Sequence, residues 1–378
     1  MPLPNNFCVA PFIQLQTSKD TCGPCPYQPN MWNVKGDIKD KWNSKELENL
    51  RNSFLNNQKD TQCNRCWKEE DAGKESLRLR LRKFRGSVNT DKAFEKFIEL
   101  EQYKKYPRIL TLIPGNECNL ACASCSGTYS SKWNSLTSAD SYGTFQKTAG
   151  NWNLSDEQYQ DIVDNSTSLQ KIELFGGEPF LNKKNKLKLV QKLVDKGTAK
   201  DIVLYFNTNG TVYDPSYMEY LTNNFKYIEI RQSIDGLHKE FEYLRYGANF
   251  DDVIKNAEKF ASLPNCHFEV ICTVSIFNVL TLVEFDEFMS RKQWSVFYNI
   301  ASWPDYLFLH NLPEQVKSKI KLPYKFRDIE KYINLESCET ESWKGFITYT
   351  KILDKNRNLS FKNAFPALYE LVKKHGYE

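Results

Sequence analysis

The chain has 378 residues, 40% of them hydrophobic, with 51 basic and 47 acidic side chains and a formal net charge of +4. That is enough length and apolar content for one large domain, or a large and a small one. A charge balance this close to neutral gives no reason to expect a nucleic-acid partner. No apolar run approaches the roughly 18 residues of a membrane span, and the opening Met1-Pro2-Leu3-Pro4-Asn5-Asn6 lacks the charged and apolar regions of an export signal. The expectation is a cytoplasmic protein with no membrane partner.

Residues 1–71 are rich in cysteine and poor in long periodic runs, and Pro and Gly mark "CGPCPYQPN" (Cys22 to Asn30) as a turn-rich loop. They are expected to form a small N-terminal cysteine-rich module. Residues 72–106 read as a connecting helical segment, because "DKAFEKFIELEQYKKY" (Asp91 to Tyr106) places apolar residues at helical spacing. Within it, the basic stretch "RLRLRKFR" (Arg78 to Arg85) reads as a solvated face beside Leu77, Leu79 and Leu81 rather than an anion site.

From Pro107 the texture changes to short apolar runs separated by helical stretches. The expected strands are Arg108–Ile113, Lys171–Phe175, Asp201–Asn207, Tyr227–Ile234, His267–Ile276 and Trp294–Ile300. Helix-compatible segments such as Asn182–Gly197 and Asn249–Leu263 lie between them. Strands alternating with helices imply βαβ units and a parallel sheet with right-handed crossovers. Six units are too few for an eight-stranded barrel and fit a partial (β/α)6 barrel over residues 107–302. Residues 303–378 read as a C-terminal extension of helices covering the sheet.

Eleven cysteines, most of them in tight groups and with no export signal, point to metal or cluster ligands in a reducing compartment rather than to disulfides. "GNECNLACASCSG" (Gly115 to Gly127) places Cys118, Cys122 and Cys125 at CxxxCxxC spacing on a loop after the first expected strand. In α/β folds, sites form at the C-terminal ends of strands. A structural zinc takes four protein ligands, whereas an iron-sulfur cluster on three thiolates leaves one iron open to a further ligand. "LFGGEP" (Leu174 to Pro179), "FNTNGT" (Phe206 to Thr211) and "QSIDG" (Gln232 to Gly236) end the next three strands, with Arg245 a short way on. The glycines let backbone approach a ligand, and Glu178 offers a carboxylate to an ammonium group.

In this order the motifs resemble the radical S-adenosylmethionine enzymes, over about Pro107 to Ile300. The resemblance implies a 4Fe-4S cluster on Cys118, Cys122 and Cys125, its fourth iron chelated by the amino and carboxylate groups of S-adenosylmethionine. It implies that Gly176, Gly177 and Glu178 receive the methionine ammonium, and that Ser233 and Arg245 contact carboxylate or ribose. One-electron cleavage of the sulfonium would give a 5′-deoxyadenosyl radical that takes hydrogen from the substrate. Ser124 stands where many members carry an aromatic residue, so no adenine-packing side chain is expected there. No side chain is assigned a catalytic role.

The N-terminal segments "FCVAPFIQL", "GPCP" and "WNSKELENLRNSFLNNQKDTQCNRCW" resemble the SPASM/twitch module of the same superfamily, which holds an auxiliary iron-sulfur cluster. Its implied ligands are Cys8, Cys25, Cys63 and Cys66, with Cys22 the alternative to Cys25. SPASM/twitch relatives often modify peptides, which implies a peptide or protein substrate, with a small molecule close behind. An external electron donor such as flavodoxin or ferredoxin would serve the enzyme.

The competing reading is a non-catalytic zinc protein that uses both cysteine sets to bind nucleic acid or a partner. Cys266, Cys272 and Cys338 stand apart and read as packing residues. His238, His267, His310 and His375 show no metal-ligand spacing, and Tyr298, Trp303 and Asp305 are candidates to line the substrate end of the barrel.

Overall fold

A computed structural model describes residues 3–28, 31–71, 75–84, 91–136, 150–181, 183–301, 303–335 and 340–375; Cys338 lies outside them. The fold is α/β, as expected. In chain order the strands are β1 (Gln14–Thr17), β2 (Thr21–Gly23), β3 (Trp32–Asn33), β4 (Ile109–Leu112), β5 (Ala121–Cys122) and β6 (Lys171–Leu174). There follow β7 (Val203–Thr208), β8 (Tyr227–Ser233), β9 (Arg245–Tyr246), β10 (Cys266–Val274) and β11 (Val296–Ile300). All six expected strands are present, and the expected helices appear as Lys183–Asp195 and Phe250–Ala261. The connecting segment forms a shorter helix than expected, Asp91–Glu99, followed by a single 3-10 turn at Gln102–Lys104.

The chain divides into two compact units. The first comprises residues 1–115, 152–206 and 216–228, and its strands run in the order β7-β6-β4-β1-β2-β3. β4 pairs in parallel with β6, Leu112 opposite Leu174, and β6 pairs in parallel with β7, Leu174 opposite Phe206. All four residues of β4 are buried, as suits a parallel strand covered on both faces.

β1 joins this sheet in parallel, with Gln14 opposite Ile109, and is not among the expected strands. Its sequence QLQT carries one apolar residue, so it has no hydrophobic run to read. Gln14 is nevertheless buried and donates from Nε2 to Thr111 Oγ1 at 3.1 Å. The unit's aromatic core lies beneath the N-terminal segment, where Phe7 stacks on Phe12 at 4.9 Å and Phe12 meets Tyr103 edge-on at 5.0 Å.

The basic stretch corrects its sequence reading. It opens the helix Leu77–Phe84, and Arg78 is buried, ion-paired with Glu70 and donating to the carbonyls of Asn5 and Phe7. A buried guanidinium needs such partners, and the helix supplies them by docking on the N-terminal segment. The sequence shows only the charge run.

The second unit comprises residues 116–151, 207–215 and 229–378. β10 lies between β8 and β11 and pairs in parallel with β11, Cys272 opposite Tyr298. Val270, Cys272 and Val274 turn one face of β10 into a core shared with Phe285 and Met289 of the helix Leu282–Arg291. The C-terminal extension is helical, as expected, and its helix Thr340–Arg357 adds Phe346 and Tyr349 to that core. Cys272 is a packing residue there; Cys266 is only half-buried. β5 and β9 form a separate antiparallel pair.

Candidate active site

The three-cysteine loop is built within the second unit from its own polar side chains. Asn116 donates from Nδ2 to the carbonyls of Gly127 and Gly150, at 3.2 and 2.7 Å, closing the loop on itself. Ser130 donates to the Leu120 carbonyl at 2.6 Å while its Oγ accepts from Trp133 N–H, opening the helix Ser131–Leu136. Trp133 in turn donates from Nε1 to the Cys122 carbonyl at 3.0 Å. On the other side β5 pairs with β9, setting Cys122 opposite Arg245, and Ala123 N–H donates to the Leu244 carbonyl at 2.7 Å.

Donors point at the sulfurs. Cys118 Sγ receives Leu120 N–H at 3.5 Å and Asn209 Nδ2 at 3.8 Å, and Cys122 Sγ receives Arg245 Nη1 at 3.8 Å. Asn209 belongs to the Thr208-Asn209-Gly210 motif at the end of β7, and its Oδ1 accepts from Thr211 N–H at 2.9 Å. Arg245 is buried and ion-paired with Asp235 at 2.8 Å; Asp235 also accepts from Thr273 N–H at 2.7 Å. Ser233 is buried two positions before Asp235.

Burial pushes the Cys122 thiol above its ordinary value; Arg245 and Arg357 pull it down, and Asp235 pushes it up. Burial also raises Cys125, and the neighbouring Cys122 and Cys118 raise it further, so the three sulfurs sense one another. Burial works against the Arg245 charge, but Asp235 and the thiols outweigh it and hold the guanidinium above its usual range. Among the described residues Arg245 Nε–H, though buried, has no hydrogen-bond partner. A loop of three thiols with N–H donors at the sulfurs, a paired arginine and an open donor suits an anionic cluster with an acidic ligand.

The Gly176-Gly177-Glu178 turn lies in the first unit, after β6. Gly176 and Gly177 have φ of 75° and 58°, and a Cβ on Gly176 would stand 2.4 Å from Ile113 Cγ2. The turn therefore requires glycine both for backbone angle and for space. Glu178 is fully buried and accepts from Phe180 N–H at 3.1 Å. A carboxylate so buried at a strand end is suited to meeting a cation.

In the first unit, Cys8, Cys25, Cys63 and Cys66 line one cavity with Tyr27 and Arg78. Burial raises all four thiols; Cys25 is pushed up to about 11, against hydrogen bonds from the backbone of Tyr27 and Gln28 that pull it down. Cys22 is not on this lining. It is buried apart, within 4.0 Å of the Lys41 carbonyl. Lys41 fills the space there, its Nζ donating to the carbonyls of Ser18 and Lys19 at 2.6 and 2.8 Å. Among the described residues no group of three or more His, Cys, Asp or Glu is arranged to hold a metal ion.

Of the substrate-end candidates, Tyr298 turns into the helix-side core, where its hydroxyl donates to Asp286 at 2.7 Å. Trp303 is exposed, and Asp305 accepts from Ser342 at 3.2 Å. The opposite face of the same sheet carries Arg231, ion-paired with Glu269 and stacked 4.6 Å from the Phe297 ring. Alternation along β8 and β11 is the signal that could have found these residues, since each neighbours a core-facing one. Asp235 is visible within the Ser233–Gly236 motif, but its pairing with Arg245 emerges only in the fold.

Residues 112–289 match the family model of the Radical SAM superfamily. The match covers a little under half of the chain. No curated protein matches its sequence. Among solved structures it is similar to native anSMEcpe with bound AdoMet, at 21% identity and a TM-score of 0.42 over 71% of this chain and 62% of that one. It is also similar to Streptococcus suis SuiB bound to precursor peptide SuiA, at 15% identity and a TM-score of 0.39 over 96% of this chain and 75% of that one. The chain spans about three-fifths of the length of anSMEcpe.

Proposed function

We propose that the chain is a radical S-adenosylmethionine enzyme that acts by hydrogen abstraction, with a 4Fe-4S cluster on Cys118, Cys122 and Cys125. The observation that carries this reading is the convergence of donors on that loop within the segment that matches the radical SAM family model. When bound, the cluster and S-adenosylmethionine supply one-electron cleavage of the sulfonium and so the means to take a hydrogen atom from an unactivated C–H bond. The protein's part is positioning. Arg245, fixed by Asp235, holds positive charge at Cys122 Sγ and keeps Nε–H for an acceptor. Glu178 on its glycine turn is offered to the methionine ammonium, and Ser233 to carboxylate or ribose.

The cavity lined by Cys8, Cys25, Cys63 and Cys66 is assigned to an auxiliary iron-sulfur cluster, with Cys25 in place of Cys22 because Cys22 is held beside Lys41. Four thiolates would close that cluster and give it an electron-transfer or structural role. The substrate is a peptide, a protein or a small molecule, the electron donor is a flavodoxin or ferredoxin, and the setting is cytoplasmic. Among the described residues no helix is long and apolar enough to cross a membrane.

Iron and sulfide counts on the anaerobically reconstituted protein test both assignments. Cys118→Ala and the Cys63→Ala/Cys66→Ala double variant are each expected to lose about half of the wild-type iron, and the reduced signal left in the double variant is expected to change on adding S-adenosylmethionine. Full iron in both variants, or zinc in place of iron, would sink the reading.

A further inference from the structure

Trp303 and Asp305 follow β11 in the second unit, at the edge of the sheet where Asp235 meets Thr273 near the end of β10. The segment that carries them is pinned at both ends: Ala301 N–H donates to the Val274 carbonyl at 2.9 Å, and Ile276 N–H to the Leu307 carbonyl at 3.2 Å. Asp305 is fixed between. Its Oδ1 accepts from Tyr306 N–H at 2.9 Å, its Oδ2 from Ser342 at 3.2 Å and its carbonyl from Asn311 Nδ2 at 2.8 Å. On this fixed backbone Trp303 is 52% exposed, and among the described residues Asp305 has no ion-pair partner. The helix Thr340–Arg357 ties the segment to the three-cysteine loop. Ser342 holds Asp305, and the fully buried Tyr349 packs on Tyr306, ring centroids 4.9 Å apart, and donates its hydroxyl to the Ala123 carbonyl at 2.9 Å. From Ser342 to Tyr349 the helix advances two turns, roughly 10 Å along its axis.

We propose that Trp303 and Asp305 form a recognition site for a basic side chain, lysine or arginine, of a peptide substrate that reacts at the three-cysteine loop; the inference deepens the radical S-adenosylmethionine reading and rests on it. Of the aromatic faces, tryptophan attracts a cation most strongly. The carboxylate two residues on adds an opposite charge, and the hydrogen bonds from Tyr306 and Ser342 hold it in place while leaving that charge intact. The separation between the two loops favours a peptide over a small amine. Each residue of an extended chain advances about 3.3 Å, so a chain held at Trp303 by its basic side chain brings the residue about three positions away to the three-cysteine loop. A small amine is too short to be held at Trp303 and to react at that loop.

The test is calorimetric titration of the whole anaerobically reconstituted protein, with S-adenosylmethionine present. The probes are glycine peptides carrying a single lysine, arginine, norleucine or glutamate, and n-butylamine. Wild type, Trp303→Leu, Trp303→Phe and Asp305→Asn are compared, each with its iron counted. Wild type is expected to bind the lysine and arginine peptides more tightly than the norleucine and glutamate ones. Trp303→Leu and Asp305→Asn are expected to weaken the basic peptides by roughly threefold to thirtyfold, with Trp303→Phe closer to wild type and the norleucine peptide unchanged in Asp305→Asn. A wild type without a preference for lysine over norleucine, whether it binds both or neither, would overturn the inference. So would full-iron Trp303→Leu and Asp305→Asn variants that keep the wild-type preference, and n-butylamine bound as tightly as the lysine peptide would overturn the peptide assignment. An iron-replete wild type that forms no 5′-deoxyadenosine would instead overturn the reading of the site, and this inference with it.

Discussion

Gly176 shows how a single residue fixes the turn after β6. Its φ of 75° and the 2.4 Å that would separate a Cβ from Ile113 Cγ2 leave no room for a side chain. Gly176→Ala is expected to cost ~1–3 kcal/mol of stability and to weaken S-adenosylmethionine binding, read by urea unfolding and by calorimetric titration; an unchanged affinity would detach the turn from the cofactor. Glu240 is a second residue whose setting makes a measurable difference. Burial lifts its carboxyl to about 7; Thr281, donating to it at 2.9 Å, opposes the rise and Glu284 adds to it. The folded state therefore holds a proton that the unfolded chain releases above its ordinary value of 4.5. This contribution to stability is complete below that value and is lost as pH rises through about 7. Glu240→Gln should gain ~1–3 kcal/mol on wild type between pH 5 and pH 8, since a tenfold difference in proton affinity between the folded and unfolded chain is worth about 1.4 kcal/mol. The measurement is urea unfolding of both proteins across that range, and a gain that does not change with pH would show that the carboxyl does not titrate in it.

Among the elements, the helix Thr340–Arg357 engages the three-cysteine loop through Tyr349. Tyr349→Phe removes one buried hydrogen bond to Ala123 and is expected to destabilise by ~1–2 kcal/mol and to speed iron loss to a chelator; unchanged iron retention would limit the helix to packing. Strands β4, β6, β7, β8, β10 and β11 were legible because each is a short apolar run between helical periods. The strand-end motifs were legible because glycine and cysteine spacing is local. β1 was not, since its buried Gln14 is satisfied by a partner distant in sequence, Thr111. Arg78 and Arg357 were not, since the groups that hold them, Glu70 and the N-terminal carbonyls in one case, Trp133 and Tyr246 in the other, come together only on folding. The choice of Cys25 over Cys22 is likewise a matter of which face of a Pro-Gly loop turns inward, and spacing does not encode it.

At the scale of the whole molecule, each cysteine set lies within one compact unit, the auxiliary four in the first and the three-cysteine loop in the second. The Gly176–Glu178 turn belongs to the first unit and Ser233 and Arg245 to the second. The chemistry has to be measured on the entire chain. The most direct measurement is the 5′-deoxyadenosine formed by the anaerobically reconstituted protein with S-adenosylmethionine and dithionite, quantified by chromatography and mass spectrometry. The account predicts product from wild type and none above background from Cys118→Ala. Equal amounts from the two proteins, or none from an iron-replete wild type, would contradict it.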